Sequence, residues 1–239
     1  MSAELRLHAP PEKRLVEVRD LGHVYSTGEE IVVALRGIEF DLGVGERLAI
    51  TGRSGSGKTT LLRILAALET PTRGEVVVAG QDIVAMTGRR RELYRRETVG
   101  YVWQEPEAGL LPGLTVLQNV LVPMLGGPGD HDEEFRRALA ILSIMQLEAH
   151  LDDRPPELTA AETQRLALAV ALANSPRLLL ADELTAGLEW PAARALIGDL
   201  DDALSRGGTA AIIVTHDARL HAYVDRSIVI RDGTMLTST

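Results

Sequence analysis

A chain of 239 residues, 45% hydrophobic and 25% charged, has enough apolar matter for one large α/β domain and lies far from the composition of disordered chains. Its formal charge of -9 argues against a protein that coats nucleic acid, because neutralising phosphates takes clustered Lys and Arg. Cysteine is absent, which excludes disulfides and thiolate chemistry, and no apolar run approaches the roughly 18 residues that span a bilayer.

In chain order, residues 1–13 mix charges with Pro10 and Pro11 and lack the apolar core of a secretory signal, so a cytoplasmic location is expected. Residues 15–21 alternate apolar and polar, and residues 32–40 are rich in β-branched side chains, so the chain should open with two strands. Gly43 and Gly45 mark a turn. Residues 47–51 then form a short apolar strand that leads into a glycine-rich loop, and helical periodicity follows from Lys58 to Leu68. Pro71 and Gly74 end that element. Residues 75–79 read as a strand, 87–97 as a helix and 99–103 as a strand. The helix carries Arg89, Arg90, Arg91, Arg95 and Arg96, expected to be a solvated face.

From 105 to 158 the strand signal fades. Segments 116–125 and 132–147 look helical, separated by a loop at Gly126, Gly127, Pro128 and Gly129. Alternation returns with a helix over 160–173, a strand over 177–181, a helix over 192–205, a break at Gly207 and Gly208, a strand over 209–215 and a last strand near Ile228. Helices alternating with apolar strands imply a mainly parallel sheet covered on both faces.

Gly52, Arg53, Ser54, Gly55, Ser56, Gly57, Lys58 and Thr59 match G-x-x-x-x-G-K-[ST] in full, between an apolar strand and a helix. The chemistry explains the residue types. Glycines let backbone N–H groups curl around phosphate oxygens, the helix N-terminus adds positive potential, Lys58 supplies a point charge and Thr59 a hydroxyl for Mg²⁺. Only Lys13 and Lys58 are lysines, so the one lysine inside the folded body lies in this loop. ATP binding is the reading.

Asp182 and Glu183 end a strand expected to be buried on both faces. Beside a phosphate loop, one acid can hold Mg²⁺ and the other can act as base toward the attacking water. A second apolar strand ends in His216, where the carboxyl edge of the sheet would face the phosphates. The remaining histidines show no ligand spacing.

With these motifs in order, residues 15–233 resemble the nucleotide-binding ATPase subunit of ABC transporters. The resemblance implies a P-loop NTPase (RecA-like) α/β fold with an N-terminal antiparallel β subdomain and an inserted helical subdomain. Its divisions would be a core at 14–104 and 164–239 and helices at 105–163. It implies that Tyr25 stacks on adenine, that Ser54 and Thr60 join the loop in holding ATP, and that Gln104 links Mg²⁺ to the helical part. Thr59, Gln104 and Asp182 would then serve the metal, Glu183 would be the general base, His216 the switch histidine and Lys58 the charge stabiliser. Residues 54–62 and 110–115, with Asn119 and Val120, look most like the branch serving lipoprotein release, macrolide export and cell division. The implied partners are a membrane permease and a second ATPase subunit.

The family's LSGGQ-type signature pairs with ATP on the opposing subunit, and here the chain departs from the pattern. The aligned stretch is Leu158, Thr159, Ala160, Ala161 and Glu162, which keeps a hydroxyl but neither glycine. A methyl at each position should obstruct backbone approach to the γ-phosphate. Thr159 and Glu162 also read as a T-x-x-E capping box opening a helix. Leu184 stands where the family has proline, and Glu189 where it has aspartate. Groups acting within the subunit are retained, so the expectation is an impaired site across the dimer, and pairing with a different ATPase subunit.

Overall fold

A computed structural model describes residues 14–28, 30–127 and 130–236. The expectations for residues 1–13, and for Pro128 and Gly129 of the predicted loop, lie outside them.

Two long strands open the fold, β1 (Arg14–Thr27) and β2 (Glu30–Gly43), antiparallel and broken by register shifts. β4 (Arg73–Val78) adds to β1 and β5 (Gln81–Asp82) to β4, giving an antiparallel sheet ordered β2-β1-β4-β5. The second sheet holds β3 (Arg47–Thr51), β6 (Val99–Val102), β7 (Leu178–Asp182), β8 (Ala210–Val214), β9 (Arg226–Arg231) and β10 (Thr234–Leu236), in the order β10-β9-β3-β8-β7-β6. Its strands pair in parallel except at β10, which folds back on β9. The crossovers run through α1 (Lys58–Leu65), α2 (Gly88–Glu97), α5 (Ala160–Leu172) and α6 (Trp190–Gly207); α3 (Val116–Leu121) and α4 (His131–Ile144) stand in the central stretch.

Alternation along the buried strands explains the layers. Leu178 and Leu180 of β7, with Ile212 and Val214 of β8, face a core built from β1, β2 and α1. Leu179 and Ala181, with Ala211 and Ile213, face a second core built from α3, α4, α5 and α6. A strand buried on both faces must read as an unbroken apolar run, as β7 and β8 do.

Several element ends differ from expectation for identifiable reasons. α1 stops at Leu65 rather than Leu68, because Ala67 turns left-handed (φ 52°) and the amides of Leu68 and Glu69 both return to the Arg63 carbonyl. α3 stops at Leu121 and continues only as a 3-10 turn over Val122–Met124, where Pro123 lacks a donor N–H. α4 ends at Ile144, with Gln146 left-handed (φ 57°). α6 begins earlier than expected, because Pro191 is tolerated in a first turn, and its C-cap is the left-handed Gly208. The arginine face is solvated only in part. Arg89 and Arg90 are exposed, whereas Arg91 donates to Thr70, Arg95 to the Ala67 carbonyl and Arg96 to the Gly126 carbonyl and to Glu97.

Candidate functional site

The loop between β3 and α1 wraps the mouth of a cavity of about 550 Å³. Gly57 caps α1 with no side-chain acceptor on the first-turn N–H groups, which leaves that helix end open to an anion. Glycine is required by shape at two points. At Gly52 (φ 149°) a Cβ would stand 2.1 Å from the Ile230 carbonyl oxygen, and at Gly57 (φ 101°) 2.4 Å from that of Ala34. Lys58 is buried, and its ammonium donates to the Gly52 and Arg53 carbonyls, 2.9 Å each.

The C-terminal ends of β7 and β8 bring in the ionisable groups. Asp182 is 2% exposed, with the Thr59 hydroxyl beside its carboxyl. Burial raises its pKa above the usual aspartate value; the Thr59 hydroxyl opposes the rise and the neighbouring Glu183 charge adds to it. Glu183 sits in left-handed backbone (φ 53°), its amide donating to the Val214 carbonyl at 2.9 Å. A non-glycine residue is held there only when its surroundings impose it. Its carboxylate lies 2.7 Å from His216 Nδ1 and receives the His216 amide at 3.4 Å. With a carboxylate as acceptor, Nδ1–H donates to Glu183, and the His216 side chain as a whole is 74% exposed.

Tyr25 on β1, which also lines the cavity, pairs with Val32 on β2. Its hydroxyl donates to Glu69 Oε2 at 2.6 Å and lies 3.2 Å from Thr60 Oγ1. Burial raises the phenol pKa, and the bond to Glu69 raises it further. Gln104 follows β6 at the cavity's edge.

The cavity thus collects Tyr25, Gly52, Ser54, Gly55, Gly57, Lys58, Thr59, Thr60, Gln104, Asp182, Glu183 and His216. Ser56 does not line it. It is 4% exposed, its hydroxyl has no hydrogen-bond partner among the described residues, and its carbonyl accepts from the Gly233 amide. Sequence reasoning missed Val32, Val33, Ala34 and Arg53 as lining residues. Only the β1–β2 pairing register, carrying Val32 opposite Tyr25, could have pointed to the first three.

Residues 158–162 stand elsewhere, at the start of α5. Thr159 donates to Glu162 Oε2 through both its amide and its hydroxyl, 2.8 Å each, and its hydroxyl also accepts the Glu162 amide at 3.4 Å. These bonds to the charged form hold the Glu162 carboxyl below the usual glutamate pKa. His150 Nε2 lies 3.4 Å from Glu162 Oε1.

A metal at the cavity would meet the Thr59 hydroxyl, the Gln104 amide and the Asp182 carboxylate, the hard oxygen donors that suit Mg²⁺. Among the described residues no cluster of three or more His, Asp or Glu side chains could hold a metal by itself. A cation here would draw its remaining ligands from water and phosphate.

Comparison with known proteins identifies the family. The family described as ABC transporter matches residues 35–186. The chain is 39% identical over 222 residues to the lipoprotein-releasing system ATP-binding protein LolD of Pseudomonas fluorescens, covering 93% of this chain and 97% of that protein. It is 38% identical over 221 residues to the macrolide export ATP-binding/permease protein MacB of Syntrophobacter fumaroxidans, covering 92% of this chain and 31% of that longer protein. Among solved structures, a dimeric post-hydrolysis state of the ATP-binding cassette MJ0796 bound to ADP and Pi superposes with a TM-score of 0.83 at 33% identity, over 91% of this chain and 95% of that one.

Proposed function

The chain belongs to the ABC transporter family of ATP-binding proteins, with the P-loop NTPase fold and its antiparallel N-terminal sheet, and from that premise we propose how it binds and hydrolyses ATP. The observation that carries the proposal is the single cavity on which phosphate loop, strand-end carboxylates, histidine and aromatic converge. The triphosphate lies against Gly52, Ser54, Gly55 and Gly57, with the open N-terminus of α1 beneath it. Lys58 leaves the Gly52 and Arg53 carbonyls for the phosphate oxygens, exchanging two neutral acceptors for charged ones. The base packs on Tyr25, Val32 and Val33. Glu183 takes the proton of the attacking water, and His216, already hydrogen-bonded to it, holds that carboxylate and offers its exposed edge to the developing charge. Thr59, Gln104 and Asp182 are the residues that would hold Mg²⁺, which supplies positive charge at the phosphate oxygens.

Among the described residues no helix is long and apolar enough to cross a membrane. The subunit would work with a membrane permease, which would hold it at the cytoplasmic face of the membrane. A groove of about 460 Å³ lined by Arg95, Arg96, Tyr101, Trp103, Pro123 and Leu125 is the place we assign to such a partner. Residues 105–163 act as the helical subdomain that carries one side of that groove.

Two ATPase subunits would close over the nucleotide, and the start of α5 bears on how well. Ala160 and Ala161 put methyls where the family has glycines, and the Thr159 hydroxyl is committed to Glu162. This favours a partner that is a different ATPase subunit with a standard signature. It also supports a second reading, an ATP-dependent clamp on a membrane partner with little turnover. Glu183→Gln separates the two readings: hydrolysis should fall by about 100-fold or more, transport should cease, and a clamp should keep its activity in the ATP-held state. A pull-down from membranes with that variant in Mg-ATP identifies the permease and any second ATPase. ATPase activity unchanged by Glu183→Gln would overturn the assignment of the base.

A further inference from the structure

The Tyr25 side of the cavity is held by a residue that does not line it. The Tyr25 hydroxyl donates to Glu69 Oε2 at 2.6 Å, within the short range of a bond to a charged acceptor. Glu69 is fixed in turn by Arg63, whose guanidinium lies 3.2 Å from Oε1, and by the turn that closes α1, where the Glu69 amide returns to the Arg63 carbonyl. His23, two residues before Tyr25, stands edge-on to its ring with centroids 4.6 Å apart, and its Nε2 lies 3.7 Å from Glu69 Oε2. The same phenol oxygen lies 3.2 Å from Thr60, the residue after Thr59 on the phosphate-binding helix. Side chains 35 and 44 positions from Tyr25 therefore meet at one oxygen.

We propose that Glu69 is a positioning residue for the base of ATP: by accepting the Tyr25 hydroxyl it fixes the ring on which the base packs, and so sets nucleotide affinity from outside the cavity. The inference rests on the reading of Tyr25 as the base-facing wall. Freed from Glu69, the ring has to be ordered when ATP binds, and that cost appears as weaker binding. An ion pair between Glu69 and Arg63 that merely closed the end of α1 would contribute little and would not distinguish one ligand from another.

Calorimetric titration of the full chain in Mg²⁺, with a non-hydrolysable ATP analogue and separately with inorganic tripolyphosphate, tests this. Glu69→Ala should weaken the analogue by about threefold to tenfold, the effect of one side-chain hydrogen bond, and leave tripolyphosphate unchanged. Glu69→Gln keeps an acceptor and should stay within about twofold of the unaltered protein on the same reasoning. Tyr25→Phe should match Glu69→Ala, and the double variant should be no weaker than either, because both remove the same bond. Equal weakening of both ligands would mean a structural role and overturn the proposal. So would unchanged analogue affinity in Glu69→Ala beside a loss in Tyr25→Ala. If Tyr25→Ala itself binds the analogue normally, the reading of the base wall fails and takes this proposal with it.

Discussion

Replacing Ala160 and Ala161 together by glycine should make the protein less stable and more active, two effects of opposite sign from one change. Both residues occupy the first turn of α5; Ala160 is exposed and Ala161 half-buried, so little methyl burial is lost. The cost is mainly backbone entropy, about 0.5–1 kcal/mol for each glycine, hence roughly 1–2 kcal/mol in all. The Thr159–Glu162 cap does not involve either side chain and should persist. For a chain of this size that loss corresponds to a fall in Tm of about 2–8 °C. Removing the methyls opens the start of α5 to a phosphate on an opposing subunit. ATPase per site of the purified chain, at concentrations that allow pairing, should rise at least about threefold, equivalent to ~0.7 kcal/mol in the barrier. Thermal melts and steady-state phosphate release on the same preparations read both effects. A variant that melts lower, binds Mg-ATP normally and hydrolyses no faster would refute the argument that these methyls limit turnover.

Gly57→Ala places a methyl 2.4 Å from the Ala34 carbonyl oxygen at φ 101°, so the loop must shift; nucleotide binding by calorimetry should be lost, with destabilisation of more than about 1 kcal/mol. Asp182→Asn removes a charge that burial disfavours. The nucleotide-free variant should melt no lower than the parent at neutral pH, and the rise in Tm that Mg-ATP gives the parent should disappear; a marked drop without ligand would contradict this. Because the Glu162 pKa is lowered in the fold, its capping contribution is present above the unfolded glutamate pKa and lost as pH falls through the folded value. The Tm difference between the parent and Glu162→Gln should therefore be largest near pH 7 and shrink below about pH 4.5, the ordinary value for this side chain.

What could be read along the chain was what short-range physics specifies. The phosphate loop at Gly52–Thr59 announces itself because curling backbone around phosphate demands glycine at set intervals, followed by Lys58 and a helix. Residues 178–181 and 210–214, which lead up to Asp182 and His216, are continuously apolar because both faces of their strands are buried. The T-x-x-E pattern at Thr159 forms the cap it suggests. Element ends were less legible, since the left-handed turns at Ala67 and Gln146 occupy residues with no special liking for that conformation.

Only the tertiary structure could decide the rest. Val32, Val33 and Ala34 join the nucleotide wall through the β1–β2 register, which bulges shift and no local pattern encodes. Ser56, within the same eight-residue motif, turns inward under the loop while Ser54 lines the cavity. Glu183 and His216 lie 33 positions apart and meet because β7 and β8 are parallel neighbours ending at one edge. Tyr25 and Glu69 lie 44 positions apart and meet because the segment after α1 is tied to β1, the Thr72 amide donating to the Gly22 carbonyl and the Val24 amide to the Thr72 hydroxyl. The sequence alone determined which chemistry the chain carries, because that chemistry is written in residue types at fixed spacing. Which side chains orient it depended on strand order and register, which arise from packing the whole chain.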